Sequence, residues 1–133
     1  MKAFVFACAF IALVAAVTCK NAASPDNEKF RKECLVESKV DEAKVIKIRK
    51  DHIFPDDEGL QKYFFCVMSK EGLVDAEGNL NRAEAEKMAQ SKEDKEQDAL
   101  AFDTCMNQEG TPLQKVYLMA KCYVGIRPDA ELI

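Results

Sequence analysis

Leu60-Gln61-Lys62-Tyr63-Phe64-Phe65-Cys66-Val67-Met68-Ser69-Lys70-Glu71-Gly72 is the stretch on which the fold turns. Apart from the N-terminal residues, it holds the densest run of large apolar side chains, with a cysteine in its middle and a glycine at its end. It reads as a central helix. Asp56 and Asp57 place acidic charge at its N-terminal end, where the helix dipole favours it, and Gly72 supplies a left-handed exit. Cys66 predicts a covalent tie to another helix, and the apolar side chains predict that this helix lines the interior.

Working back towards the N-terminus, Pro55 stops a shorter helix, because the residue before a proline avoids the helical region. Asp41 caps it. Val45, Ile46, Ile48 and Ile53 give it apolar character, with Lys44, Lys47, Arg49 and Lys50 outside. Ser24-Pro25 opens a first helix: the serine accepts from free first-turn N–H groups, and the proline has no N–H to waste. Phe30 and Cys34 fall one turn apart on its face, and it ends near Ser38.

Towards the C-terminus, Leu73-Val74-Asp75-Ala76-Glu77-Gly78-Asn79 is a turn-rich loop whose oxygens and glycine are wrongly spaced for an EF-hand. Asn81 with Glu84 caps a fourth helix, with Leu80, Ala85 and Met88 on its apolar side. Ser91 with Asp94 starts a fifth, with Leu100, Phe102, Cys105 and Met106 as its buried stripe and Gly110 as its end. Its charged first half is a solvated face. Thr111-Pro112-Leu113-Gln114 joins an N-cap, a first-position proline and a capping-box glutamine. That sixth helix runs through Val116, Tyr117, Ala120 and Tyr123 to Gly125. No segment alternates with period two over strand length. The fold class is all-α, six helices in one domain.

The first residues stand apart. Lys2 is followed by an unbroken apolar run from Ala3 to Val17 and by Thr18 and Cys19. Residues 1–19 read as a secretory signal peptide, too short to span a bilayer. A cut after Thr18 instead would leave a stray thiol. The domain is then residues 20–133, secreted and extracellular. There is no second long apolar run, which argues against membrane insertion. Lys2 is the leader's only charged residue, so its removal takes the formal charge from −4 to −5. That acidity, without basic clusters interleaved with aromatics, argues against nucleic acid.

Of six cysteines, Cys8 and Cys19 leave with the leader, and Cys34, Cys66, Cys105 and Cys122 remain. An even count in a secreted chain reads as disulfides, with three connectivities open. No two lie at zinc-ligand spacing and His52 is the only histidine, so no metal or cofactor is expected. With the cysteines consumed, and with no nucleophile elbow, phosphate loop or carboxylate pair, no catalytic residue is assigned and the protein is not read as an enzyme.

Between successive mature cysteines lie 31, 38 and 16 residues, and each cysteine falls on a different predicted helix. In this spacing the chain resembles the insect odorant-binding proteins, the pheromone-binding and general odorant-binding superfamily. Six-cysteine members of that family carry two more, at positions that fall here on Lys62 and Leu113. Those two pair with each other, so their joint absence matches the four-cysteine "minus-C" subgroup. The Lys70-to-Gly78 turn is also similar to the family's.

The resemblance implies the pairs Cys34–Cys66 and Cys105–Cys122, a six-helix fold around an apolar cavity, and a carrier of odorants, pheromones or fatty-acid-like lipids. Implied ligand contacts start with Phe54, Phe64, Phe65 and Met68 around the central helix. Leu73, Leu80 and Met88 follow from the next loop and the fourth helix. Phe102 and Met106 come from the fifth. The sixth adds Val116, Tyr117, Met119, Ala120 and Tyr123. Phe64, Phe65 and Met68 come first, and Tyr117 or Tyr123 offers a hydroxyl to a polar ligand group. The implied partners are a small hydrophobic ligand and a downstream membrane receptor, with the carrier a monomer or weak homodimer. The tail, with Leu132 and Ile133, is expected to cover the pocket mouth. The alternative is a secreted helical protein with a filled core that acts by protein contact.

Overall fold

In the computed structural model, residues 25–89 and 91–129 are described. Six helices lie among them: α1 (Pro25–Ser38), α2 (Glu42–Asp51), α3 (Glu58–Lys70), α4 (Arg82–Lys87), α5 (Lys92–Cys105) and α6 (Pro112–Ile126). No strand occurs among the described residues, only an isolated antiparallel bridge between Val74 and Leu80. The signal peptide, the Ser24 cap and the last residues of the tail, Leu132 and Ile133 included, lie outside the described residues.

The caps form as local chemistry dictates. Asp41 accepts from the Ala43 N–H, Asp57 from Leu60, Asn81 from Glu84 and Ser91 from Asp94. Thr111 and Gln114 close a full capping box, each side chain bonding the other's backbone N–H. Gly72 ends the central helix with φ +76°, a conformation glycine adopts without steric cost.

Three helix ends differ from the sequence reading. α2 stops at Asp51, not at the proline. His52 takes a left-handed φ of 56° and its N–H bonds back to the Ile48 carbonyl. The chain then turns Ile53 outwards and Phe54 inwards. α5 stops at Cys105, well before Gly110. Cys105 is tied to Cys122, and the Gln108 side chain donates to the Cys105 carbonyl, satisfying the helix end there. α6 passes through Gly125 to Ile126.

α3 packs against α1 on one side and α6 on the other, and α5 lies on α6. Its buried face is Leu60, Tyr63, Phe64, Val67 and Met68, at helical spacing. Two disulfides fasten these layers. Cys34–Cys66 joins α1 to α3 and Cys105–Cys122 joins α5 to α6, with Cα atoms 5.7 and 5.6 Å apart. These are the pairs the resemblance implied. The stripe assigned to α5 needs correction: Phe102 and Cys105 are buried, but Leu100 is 67% exposed and Met106 faces solvent. Ala101 takes the inward position instead. Ile46 is likewise exposed, leaving Val45 and Ile48 to anchor α2.

Candidate functional site

The interior centres on three rings. Phe54, Phe64 and Tyr117 meet pairwise with centroids 5.4–5.5 Å apart, in tilted or edge geometry. Tyr63 adds an edge contact to Phe64. The three rings come from the α2–α3 loop, α3 and α6, so their meeting is a product of packing. Val116 and Ala120 on α6 and Leu60 and Val67 on α3 are buried in the same cluster. A second aromatic contact lies beside the α5–α6 disulfide, where Phe102 and Tyr123 stack at 5.4 Å.

Most of the side chains expected to contact a ligand are brought together here. Phe54, Phe64, Met68, Leu73 and Phe102 are buried, as are Val116, Tyr117, Met119, Ala120 and Tyr123 on α6. Phe65 and Leu80 are half-buried and pack against the same core. Met88 and Met106 are placed differently: they are 42% and 37% exposed, outside this core. Met88 is the residue after the short α4, and Met106 the residue after α5, where the chain has already turned to the surface.

The Tyr117 and Tyr123 hydroxyls have already committed their protons. Tyr117 donates to the Pro55 carbonyl at 2.6 Å, and burial, with Asp57 and Asp56 nearby, pushes its phenol up to about 12. Tyr123 donates to Asp98 Oδ1 at 2.8 Å, and burial with this bond raises its phenol as well. What either hydroxyl can offer a guest is its oxygen lone pairs.

Sequence reasoning missed two polar clusters. Arg127, just past α6, donates to Asp98 Oδ1 at 2.9 Å and to Asp94 Oδ1 at 3.0 Å, and both Arg127 and Asp98 are buried. The other involves Glu71. It follows α3 on its buried face, four residues beyond Val67 and seven beyond Phe64. Burial pushes its carboxyl up to about 7, with Arg31 pulling the other way. The i, i+3, i+7 spacing of Phe64, Val67 and Glu71 was readable, but a glutamate beside a glycine reads as a turn residue.

No metal-binding group of His, Cys, Asp and Glu occurs among the described residues. No helix among them is long and apolar enough to cross a membrane.

Comparison with known proteins gives a consistent picture. Residues 18–125 match the family model of the PBP/GOBP family. No curated protein matches the chain significantly. Among solved structures, Apis mellifera odorant binding protein 5 superposes with a TM-score of 0.68 at 26% identity, covering 80% of this chain and 89% of that one. Odorant binding protein 4 of the predator Chrysopa pallens gives 0.68 at 21% identity, with 80% and 90% covered. The fatty acid binding protein OBP56a from the oral disk of the blowfly Phormia regina gives 0.63 at 18%, with 78% and 90% covered.

Proposed function

The chain belongs to the PBP/GOBP family, and from that membership we propose its working arrangement as a carrier of small hydrophobic molecules. The family match over residues 18–125 is the observation that carries the carrier function. The ligand enters the apolar interior between the α1–α3 pair and the α5–α6 pair. Taking apolar surface out of water there is worth about 25 cal/mol per Å². No bond is made or broken.

The contacts we assign are the buried set around Phe54, Phe64 and Tyr117, with Met68, Leu73 and Val116 close by. Phe65, Leu80, Phe102, Met119, Ala120 and Tyr123 complete the wall. Met88 and Met106 belong at its rim, given their exposure. Methionine is flexible and polarisable, which suits guests of varied shape. Residues 1–19 act as the leader and 20–133 as the secreted, extracellular carrier, in the four-cysteine branch of the family. The blowfly relative is a fatty acid binder by name, so fatty acids join alcohols, aldehydes and esters in the screen.

The test is displacement of N-phenyl-1-naphthylamine fluorescence by such a panel. Saturable probe uptake, competed by chain-length-dependent apolar ligands, is expected. No saturable uptake would overturn the carrier arrangement and leave a filled-core interaction protein.

A further inference from the structure

The α1–α3 end of the interior contains polar atoms that the fold does not use. Arg31 Nε on α1 and Glu71 Oε2 at the end of α3 are both out of contact with solvent, and neither has a hydrogen-bond partner. Ser69 Oγ, two residues before Glu71, is in the same condition. Buried polar groups are normally paired, because each loses its water on burial. Nearby charges do not fill the gap. Lys70 is taken by Glu33 and Glu37 of α1, at 2.9 and 3.2 Å.

The two helices meet here: Glu33, two residues after Arg31, pairs at 2.9 Å with Lys70, the residue before Glu71. Arg31 acts electrostatically on both Glu71 and Tyr63, and Tyr63 is buried in the α3 stripe. The Cys34–Cys66 disulfide holds their helices together. Glu71, the C-cap residue of α3, falls seven residues after Phe64 and four after Val67, in line with the buried face of that helix.

We propose that Arg31 and Glu71 form a head-group subsite for a neutral hydroxylated ligand, an alcohol whose apolar body lies along Met68 and Phe64. The proposal rests on the carrier reading above and names the chemistry that site selects. A hydroxyl has one proton to give and lone pairs to offer. It donates to Glu71 Oε2 and accepts from the Arg31 Nε–H, completing both groups at once. Other heads fit less well. An ether or ester can accept from Arg31 but leaves the carboxylate unmatched. An alkylammonium sets a second cation beside Arg31. A fatty-acid carboxylate sets a second anion beside Glu71. An alkane satisfies neither group.

The experiment compares three guests of equal size, 1-dodecanol, 1-methoxyundecane and tridecane, as competitors of N-phenyl-1-naphthylamine on the secreted chain at pH 7.5. The alcohol is expected to bind roughly tenfold or more tighter than the ether, the discrimination typical of a buried polar pair left unmatched. Glu71→Leu should bring that ratio close to one, whereas Arg31→Met should weaken alcohol and ether alike and keep the ratio; probe and tridecane affinities stay as in the parent chain in both variants. Glu71→Gln keeps an acceptor oxygen and should retain much of the preference, which also guards against a variant that fails to fold. Equal affinity for alcohol and ether in the unmodified protein would overturn the subsite without touching the carrier reading. So would a ratio unchanged in Glu71→Leu, or an alcohol affinity unchanged in Arg31→Met. Loss of probe binding in the unmodified protein would overturn the carrier arrangement and the subsite together.

Discussion

Glu71 is a carboxyl that the apolar interior makes hard to ionise. Its pKa rises from 4.5 to about 7 on folding, chiefly through burial. The folded chain therefore holds a proton that the unfolded chain releases between those values. The stability this proton contributes is full below pH 4.5 and is lost as pH rises through about 7. Calorimetric melting should show a higher midpoint at pH 5 than at pH 8, by on the order of 1 kcal/mol in stability, because the half-buried carboxyl stays partly screened by solvent. Glu71→Gln should flatten that dependence, and a parent chain with equal stability at both values would place the carboxyl in its ordinary range. The effect is separable from that of Asp57, which the Lys44 hydrogen bond holds below its ordinary value. Its contribution is present above pH 3.8 and fades only at lower pH. At the other end of the molecule, Asp98 accepts from both Tyr123 and Arg127. Asp98→Leu leaves a buried guanidinium without this partner and should cost about 3 kcal/mol or more in urea unfolding. Tyr123→Phe should cost only about 1 kcal/mol, since the Arg127 bond survives.

Among the elements, caps and turns were the most legible, because their chemistry is local. Thr111-Pro112-Leu113-Gln114 makes its capping box from four adjacent residues, and Asp41, Asn81 and Ser91 cap the helices assigned to them. The ends were less legible where distant contacts decided them. α5 ends where the Cys122 disulfide and Gln108 meet it, and nothing in its own residues before Gly110 marks that point. The turn after α3 shows the same division. Gly72 and Gly78 both take positive φ, +76° and +80°. A side chain at Gly72 would meet open space, whereas a Cβ at Gly78 would come within 2.8 Å of the Pro112 carbonyl. The turn is seated on the start of α6, and Lys115 bonds back to Asn79 Oδ1 at 3.1 Å. Gly72→Ala should cost about 1 kcal/mol from backbone strain alone. Gly78→Ala should cost clearly more, because Pro112 must also move. Equal destabilisation of the two variants in urea titrations would remove the seat on α6 from the account.

At the scale of the whole molecule, the two disulfides close loops with sequence separations of 32 and 17. In the chain-entropy view these are worth about 4 and about 3 kcal/mol. Replacing Cys34 and Cys66 together with alanine should therefore lower the urea midpoint more than replacing Cys105 and Cys122. A reversed order would show that packing around each bridge outweighs loop length. Much of this architecture was contained in the sequence: helix periodicity and caps predicted six helices, and the even cysteine count predicted two bridges. The connectivity came through family resemblance, since composition left three pairings open. Which residues are apolar, and at what spacing, follows from the order of amino acids alone, because that information is local to each helix. How the faces meet was set by the packing of segments distant in the chain. It turned Leu100 and Met106 outwards, gathered Phe54, Phe64 and Tyr117 from three elements, and engaged the hydroxyls of Tyr117 and Tyr123. It also withdrew Glu71 Oε2 and Arg31 Nε from solvent and buried Asp98 with Arg127. Burial of a charge depends on which helices close over it, and that is settled by contacts far apart in the chain.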